Sequence, residues 1–389
     1  MTSARFTESG DASIERAIGD LVEAIADRAR AIPDLEALLL GGSLGRGEGT
    51  VERGADGDRL ASDVEVYLVG ASPSLRTAAG RLEVDVVSEK GPRISAAWLH
   101  PDALRHGRAK NLSRQPSSTI RLYELAVASR VLVGRRPVIY RIDPSALPLG
   151  EGVRLVLNRL AEAAPELARR SPQAAFWTDK VLIACGDTVL LSKGAYTARY
   201  RDRLTRLSQT GPAWPMPEGW REVVAAAYER KLNGSAVEAS NVRDTAAVVV
   251  ATLTAAERVT GTALDPLGTF PQRFVVAGAR RPELLRYLPP LGPKATFEGV
   301  VLLVRARRAG HPVTGRMLWQ ALVGRPLSLS LQATALPLYL GIVRGEPGLV
   351  RAAAQAMVWA GLPPGQVRRA VDAPARLADL LRRRWMVAT

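Results

Sequence analysis

Ala37-Leu38-Leu39-Leu40 is an apolar run halted by Gly41-Gly42-Ser43, and that order reads as a buried strand entering a tight turn. Two consecutive glycines let the backbone take dihedrals barred to other residues and approach a ligand closely. Ser43 then suits the cap of a short helix, whose free amides and dipole favour an anion. Gly-Gly-Ser is also an ordinary turn, so the ligand reading needs further residues.

Those residues follow at 63–69. Along that stretch Val64, Val66 and Leu68 share one face of a strand, while Asp63, Glu65 and Tyr67 share the other. Two carboxylates pointing the same way can hold a hard cation such as magnesium, which takes oxygen ligands and keeps water or substrate phosphate in its remaining positions. A solvated face of an antiparallel strand produces the same alternation. Residues 82–87 repeat it, with Leu82, Val84 and Val86 against Glu83, Asp85 and Val87. A strand there, laid beside the first, would bring Asp85 near Asp63 and Glu65, and three crowded like charges call for a cation. Two surface strands balanced by nearby arginines are the bland alternative.

Gly42-Ser43, then Asp63-x-Glu65, then a third acid on a following strand resembles the nucleotidyltransferase superfamily of the DNA polymerase β type, closest in pattern to its small-molecule, antibiotic-type members. The resemblance implies that Gly42 and Ser43 form the turn for the β- and γ-phosphates. It implies that Asp63 and Glu65 bind two metals, magnesium or manganese. Asp85 would be the third acid, ligating one metal and helping to deprotonate the acceptor hydroxyl; Glu83 competes for that place, but Asp85 has apolar Val84 and Val86 on either side. Arg46-Gly47 looks like the Arg-Gly of the small-molecule members, whose arginine sits close to phosphate. The loop between Ser43 and Asp63 is longer than the family pattern, and Glu65 stands where aspartate is more usual.

At 389 residues the chain is long enough for two domains. Its net charge of +15 suggests an acidic partner, such as a nucleotide, a nucleic acid, an anionic sugar or a membrane surface. The abundance of arginine, alanine, glycine and proline is also what a high-GC genome produces, and the basic residues lack the interleaved aromatics of a single-strand binding groove. Cys185 is the only cysteine, which excludes internal disulfides and a multi-cysteine zinc site and fits a reducing cytoplasm. The first residues have no apolar core of a signal peptide, and the apolar stretch 327–343 is broken by Ser328, Ser330, Gln332 and Pro337, so a buried helix is expected there and no membrane span.

Residues 12–31 show helical spacing, with Asp11 placed to cap it. A helix is expected over 121–129 and a short strand at 131–133, closing an N-terminal α/β domain with a mixed sheet over residues 1–142. From residue 143 to 389 the pattern predicts an all-helical domain that closes a cleft over the first, with helices at 151–164, 173–193, 220–232, 236–260, 282–288, 295–309, 329–343, 348–360 and 366–385. Within it, Lys193 and Tyr196 resemble the helical half of small-molecule nucleotidyltransferases, where a lysine can reach the triphosphate; a glycine cap after a helix end explains Lys193-Gly194 equally well.

The expectation is a magnesium-dependent enzyme that moves a nucleoside monophosphate from a triphosphate to a hydroxyl of a small molecule, releasing pyrophosphate. Transfer to an RNA end or a protein hydroxyl, or nucleotide sensing without catalysis, are the alternatives. Salt separates the acceptors: binding of a polyanion should weaken steeply between 50 and 200 mM salt, whereas a neutral small acceptor should be indifferent in the same titration.

Overall fold

The computed structural model describes residues 5–52, 58–85, 92–106, 119–147, 149–212, 214–234, 242–260, 304, 327–359 and 362–388. The chain is mixed α/β and mostly helical, with one small four-stranded mixed sheet. It divides into two compact units: Met1–Pro148 with Lys193–Gly211 and Tyr228–Val237, and Leu149–Ser192 with Pro212–Ala227 and Glu238–Thr389. The first unit is thus completed by two segments from far along the chain.

In the first unit α1 (Ala12–Arg30) begins where expected, and the Asp11 carboxylate accepts from the amides of Ser13 and Ile14. Next come β1 (Ala37–Leu40), α2 (Gly42–Arg46), the two-residue strands β2 (Val51–Glu52) and β3 (Arg59–Leu60), β4 (Val64–Val69), α3 (Ser74–Asp85), β5 (Ile94–Leu99), α4 (Pro101–His106), α5 (Thr119–Ala128) and β6 (Arg130–Gly134). The sheet runs β5-β4-β1-β6. β1 is antiparallel to both β4 and β6, while β4 and β5 are parallel.

A parallel pair needs a crossover connection, usually helical, and α3 supplies it. The strand expected over 82–87 is therefore not formed. Leu75, Ala79 and Leu82 recur at helical spacing and are buried against Val64, Val66 and Leu68, so a helix hides more apolar surface here than an alternating strand would. Residues 86–91 lie outside the described set. The opposite face of the sheet, with Leu39, Tyr67 and Val69, packs on Leu104 of α4 and on Leu122 and Leu125 of α5. With helices on both faces, β4 is buried along its length except at Glu65. A solvated strand face does not describe it.

The second unit contains α6 (Leu149–Ala168), α7 (Ala174–Ser192), α10 (Val242–Thr260), α11 (Leu327–Arg344), α12 (Pro347–Trp359), α13 (Pro364–Ala370) and α14 (Pro374–Ala388). Helix α6 lies against α7, α11 and α14, and α10 against α7. Gly152 allows the close approach of α6 and α7, since a Cβ there would fall 2.8 Å from Thr188 Oγ1. The single helix expected over 366–385 is two, because Pro374 opens α14 and cannot extend α13. The helices expected at 282–288 and 295–309 lie outside the described residues apart from Val304, which is helical. Burial pushes the Cys185 thiol up to about 12, so it stays protonated at neutral pH and is no nucleophile. Among the described residues, no helix is long and apolar enough to cross a membrane.

Helix α8 (Tyr200–Gln209), in the first unit, falls where no helix was expected. Helix α9 (Trp220–Asn233) carries Lys231, whose ammonium donates to Thr50 Oγ1 at 2.6 Å and to Ser62 Oγ at 3.4 Å.

Leu68 is fully buried in β4, at the centre of the sheet. Leu68→Ala should destabilise the protein by about 2–5 kcal/mol, read as a shift of the urea midpoint with an unchanged slope.

Candidate functional site

The turn after β1 is fixed by β4. The Gly41 amide donates to the Glu65 carbonyl at 2.8 Å. A Cβ on Gly41 would fall 2.6 Å from Tyr67 Cε2, and one on Gly42 would fall 2.7 Å from Glu65 Oε1. Gly42 also has φ of +60°, in the region that side chains disfavour. Both glycines are therefore required locally, by a backbone dihedral and by the side chains across β4. The cap of α2 is Gly41, and Ser43 is the second residue inside the helix instead of its cap. Ser43 is buried at this end of the turn.

Asp63 is exposed immediately before β4, and Glu65 is half-buried two residues on. The Tyr67 hydroxyl donates to Glu65 Oε2 at 3.0 Å. Burial, and then the charge of Glu65, push the Tyr67 pKa far above its ordinary value, so the phenol remains a donor and holds that carboxylate in one orientation. The structure thus brings Gly42 and Glu65 into direct contact and keeps Asp63 at the same end of β4.

The third acid is placed differently from expectation. Asp85 is the last residue of α3, on no strand, and its side chain lies outside the described residues. Helix α3 packs on the Val64–Val66–Leu68 face of the sheet, away from Glu65. Glu83, the competing acid, is turned to the sheet edge, where Oε1 accepts from the Ala96 amide at 2.7 Å. The strand that does lie beside β4 is β5, which sets Ser95 opposite Glu65 and Ala97 opposite Tyr67. It carries no carboxylate.

Among the described residues no group of three or more His, Cys, Asp or Glu is gathered to hold a metal ion. Asp63 and Glu65 nevertheless offer the hard oxygen donors that magnesium takes, and magnesium is commonly held by one or two carboxylates with water and substrate phosphate completing its shell. The donor chemistry fits a magnesium ion that is shared with a phosphate ligand.

Arg46 is turned into the interior of the first unit. It is buried, with Nη1 3.1 Å from Glu124 Oε2 on α5, Nε 3.4 Å from Glu48 Oε2 and its guanidinium 4.8 Å from the centre of the Tyr200 ring. Glu124 also pairs with Arg203 and accepts from Tyr196 Oη at 2.7 Å. Arg203 is 2% exposed and stacks on Tyr196 and Tyr200, while Glu48 accepts from the amides of Tyr200 and Arg201, capping α8. Burial alone would raise the Glu124 carboxyl, but Arg46 and Arg203 outweigh it and hold the group below the usual carboxylate range.

Tyr196, expected at the nucleotide, is 1% exposed and belongs to this network. Lys193 is exposed, and Gly194 after it has φ of +62°, the left-handed geometry of a helix C-cap. Glu124 and Arg203 were not singled out from the sequence. The signal for Glu124 was a lone acid in the apolar stretch Ile120–Val127, and for Arg203 a repeat of aromatic and basic residues that reads equally as surface.

Set against known proteins, the chain matches no family model, no curated protein and no solved structure.

Removing the charge of Glu124 leaves two buried guanidinium groups without their shared partner. Glu124→Gln should cost about 3–5 kcal/mol at pH 7. A carboxylate whose folded pKa is depressed adds stability above its unfolded pKa, and that stability is lost as pH falls through the folded one. In urea titrations the gap between wild type and variant should therefore shrink as pH drops below about 4.3.

Proposed function

We propose that this chain is a nucleotidyltransferase that uses a nucleoside triphosphate and a hydroxylated acceptor, with a small molecule as the favoured acceptor. The observation that carries the reading is the contact between the left-handed glycine turn at Gly42 and the Glu65 carboxylate, with Asp63 beside it on the same strand end. A polyphosphate tail needs a backbone it can approach and a cation to neutralise it; this corner has a glycine turn that would suit the first and two carboxylates that could hold the second.

In this reading the bare Cα of Gly42 and the amides of Gly42 and Ser43 receive the phosphates, the Gly41 amide being held by the Glu65 carbonyl. Asp63 and Glu65 would hold magnesium, which supplies charge neutralisation on the triphosphate when bound. Tyr67 keeps Glu65 in the orientation that faces the turn. The acceptor oxygen forms a bond to the α-phosphorus, the bond from that phosphorus to the bridging oxygen breaks, and pyrophosphate leaves with the electron pair. The hydroxyl proton passes to solvent or to a side-chain base. The protein contributes positioning and electrostatic complementarity, which dominate in phosphoryl transfer.

A second reading, nucleotide binding without transfer, is favoured by one observation. The position opposite Glu65 on β5 is Ser95, so the neighbouring strand brings no third acid to activate an acceptor.

Calorimetric titration of non-hydrolysable triphosphates, with and without magnesium, tests both. Metal-dependent binding to wild type that is lost in Asp63→Ala is expected. Release of pyrophosphate from a hydrolysable triphosphate in an acceptor screen then supports transfer, and binding without any such release supports the second reading. No binding to any common triphosphate removes the nucleotide site.

A further inference from the structure

Asp63, the exposed acid of the candidate site, stands between two buried residues, Ser62 and Val64. Each of them is tied down. On one side the Val64 amide donates to the Arg93 carbonyl at 2.8 Å. On the other, Ser62 Oγ accepts from the amide of buried Thr50 at 2.8 Å, and the Ala61 amide donates to the Thr50 carbonyl at 2.9 Å.

Lys231, near the end of α9, reaches both hydroxyls. Its ammonium donates to Thr50 Oγ1 at 2.6 Å and to Ser62 Oγ at 3.4 Å, and its carbonyl accepts from Thr50 Oγ1 at 2.8 Å. That end of α9 is itself anchored within the first unit. Tyr228 is buried, with its ring centre 6.0 Å from that of Tyr200. A Cβ on Gly234 would fall 1.6 Å from the Val51 carbonyl oxygen, so only a bare Cα lets the two backbones meet there. Ordering a long lysine side chain costs entropy, and charge-assisted bonds to two buried hydroxyls offset it.

We propose that Lys231 is a positioning residue of the candidate site: held against Thr50 and Ser62, it fixes the backbone that presents the Asp63 carboxylate to magnesium. The inference rests on the nucleotide reading and makes the metal half of that site depend on a side chain 169 residues beyond Ser62. A ligating group has to be held to about 0.5 Å, and Ser62 is bonded directly to the residue in question, so a shift at Ser62 is passed to Asp63. The charge of the lysine by itself acts in the opposite sense. A cation near the site repels magnesium, and removing it should tighten metal binding, whereas losing the positioning contact should weaken it.

The test is the magnesium concentration at half-saturation for nucleotide binding, measured calorimetrically in wild type, Lys231→Met, Ser62→Ala and the double variant, with non-hydrolysable analogues of the common ribonucleoside triphosphates as probes. The expected result is a magnesium midpoint raised about tenfold in each single variant, with the double variant no worse than either, since both break one chain of contacts. A merely structural lysine would lower the thermal midpoint and leave the magnesium midpoint in place. That result, or a lowered magnesium midpoint in folded Lys231→Met, overturns this inference alone, and so do effects of the two variants that add in full. If Lys231→Met does not fold, Ser62→Ala decides, and an unchanged magnesium midpoint there overturns the inference. Absence of wild-type binding overturns it together with the nucleotide site.

Discussion

Glu124 is the charge on which the first unit depends. It is one carboxylate serving two buried guanidinium groups, and those groups come from stretches of chain that would otherwise have no reason to meet: Arg46 from the end of α2, Arg203 from α8. Burying an arginine without a partner is costly, and burying two is prohibitive. Because the carboxylate pairs with both, it ties α2, α5 and α8 together at one point. Glu48 adds a second tie by capping α8 from the residue after Gly47. The turn at Gly41–Gly42 is therefore held from behind by ionic chemistry and from the side by β4. Its glycines then satisfy a close approach that any larger residue would obstruct.

This arrangement changes the sense of the arginine that follows the turn. Placed by pattern alone, Arg46 belongs at a phosphate; placed by its contacts, it is a strut that fixes the helix carrying Ser43. A residue type that can serve a ligand can as easily serve the fold, and burial beside two carboxylates decides between them. Tyr196 makes the same point, since its ring and hydroxyl are both occupied within the network.

Much of the sheet was legible in the sequence because it follows from local rules. The run at 37–40, the alternation from Val64 and the cap at Asp11 each carry their own signature, and each element forms within a residue or two of its expected bounds. Residues 82–85 were misread because Leu82 and Val84 satisfy a period of two, while the longer spacing from Leu75 through Ala79 to Leu82 satisfies a helix. Only the parallel pairing of β4 with β5 decides between them. The strand Ile94–Leu99 was not read at all, its small residues Ser95, Ala96 and Ala97 giving almost no alternation. The long-range ionic network was beyond reach for another reason: nothing local in Glu124 announces partners 78 and 79 residues away in either direction.

The first unit is not a contiguous piece of sequence. The chain leaves it after Pro148, builds helices of the second unit, and returns at Lys193–Gly211 and again at Tyr228–Val237. During synthesis the sheet and its glycine turn emerge early, but Arg203, Tyr196 and the amides that Glu48 caps emerge only later. Until then Arg46 and Glu124 have each other but lack the helix that seals them from water. Completion of the ionic centre thus waits until α6 and α7 of the second unit have been made, while the larger part of that unit, from Glu238 onward, follows the last segment of the first. A fragment ending at Pro148 would carry the whole four-stranded sheet and yet leave its ionic centre open to solvent.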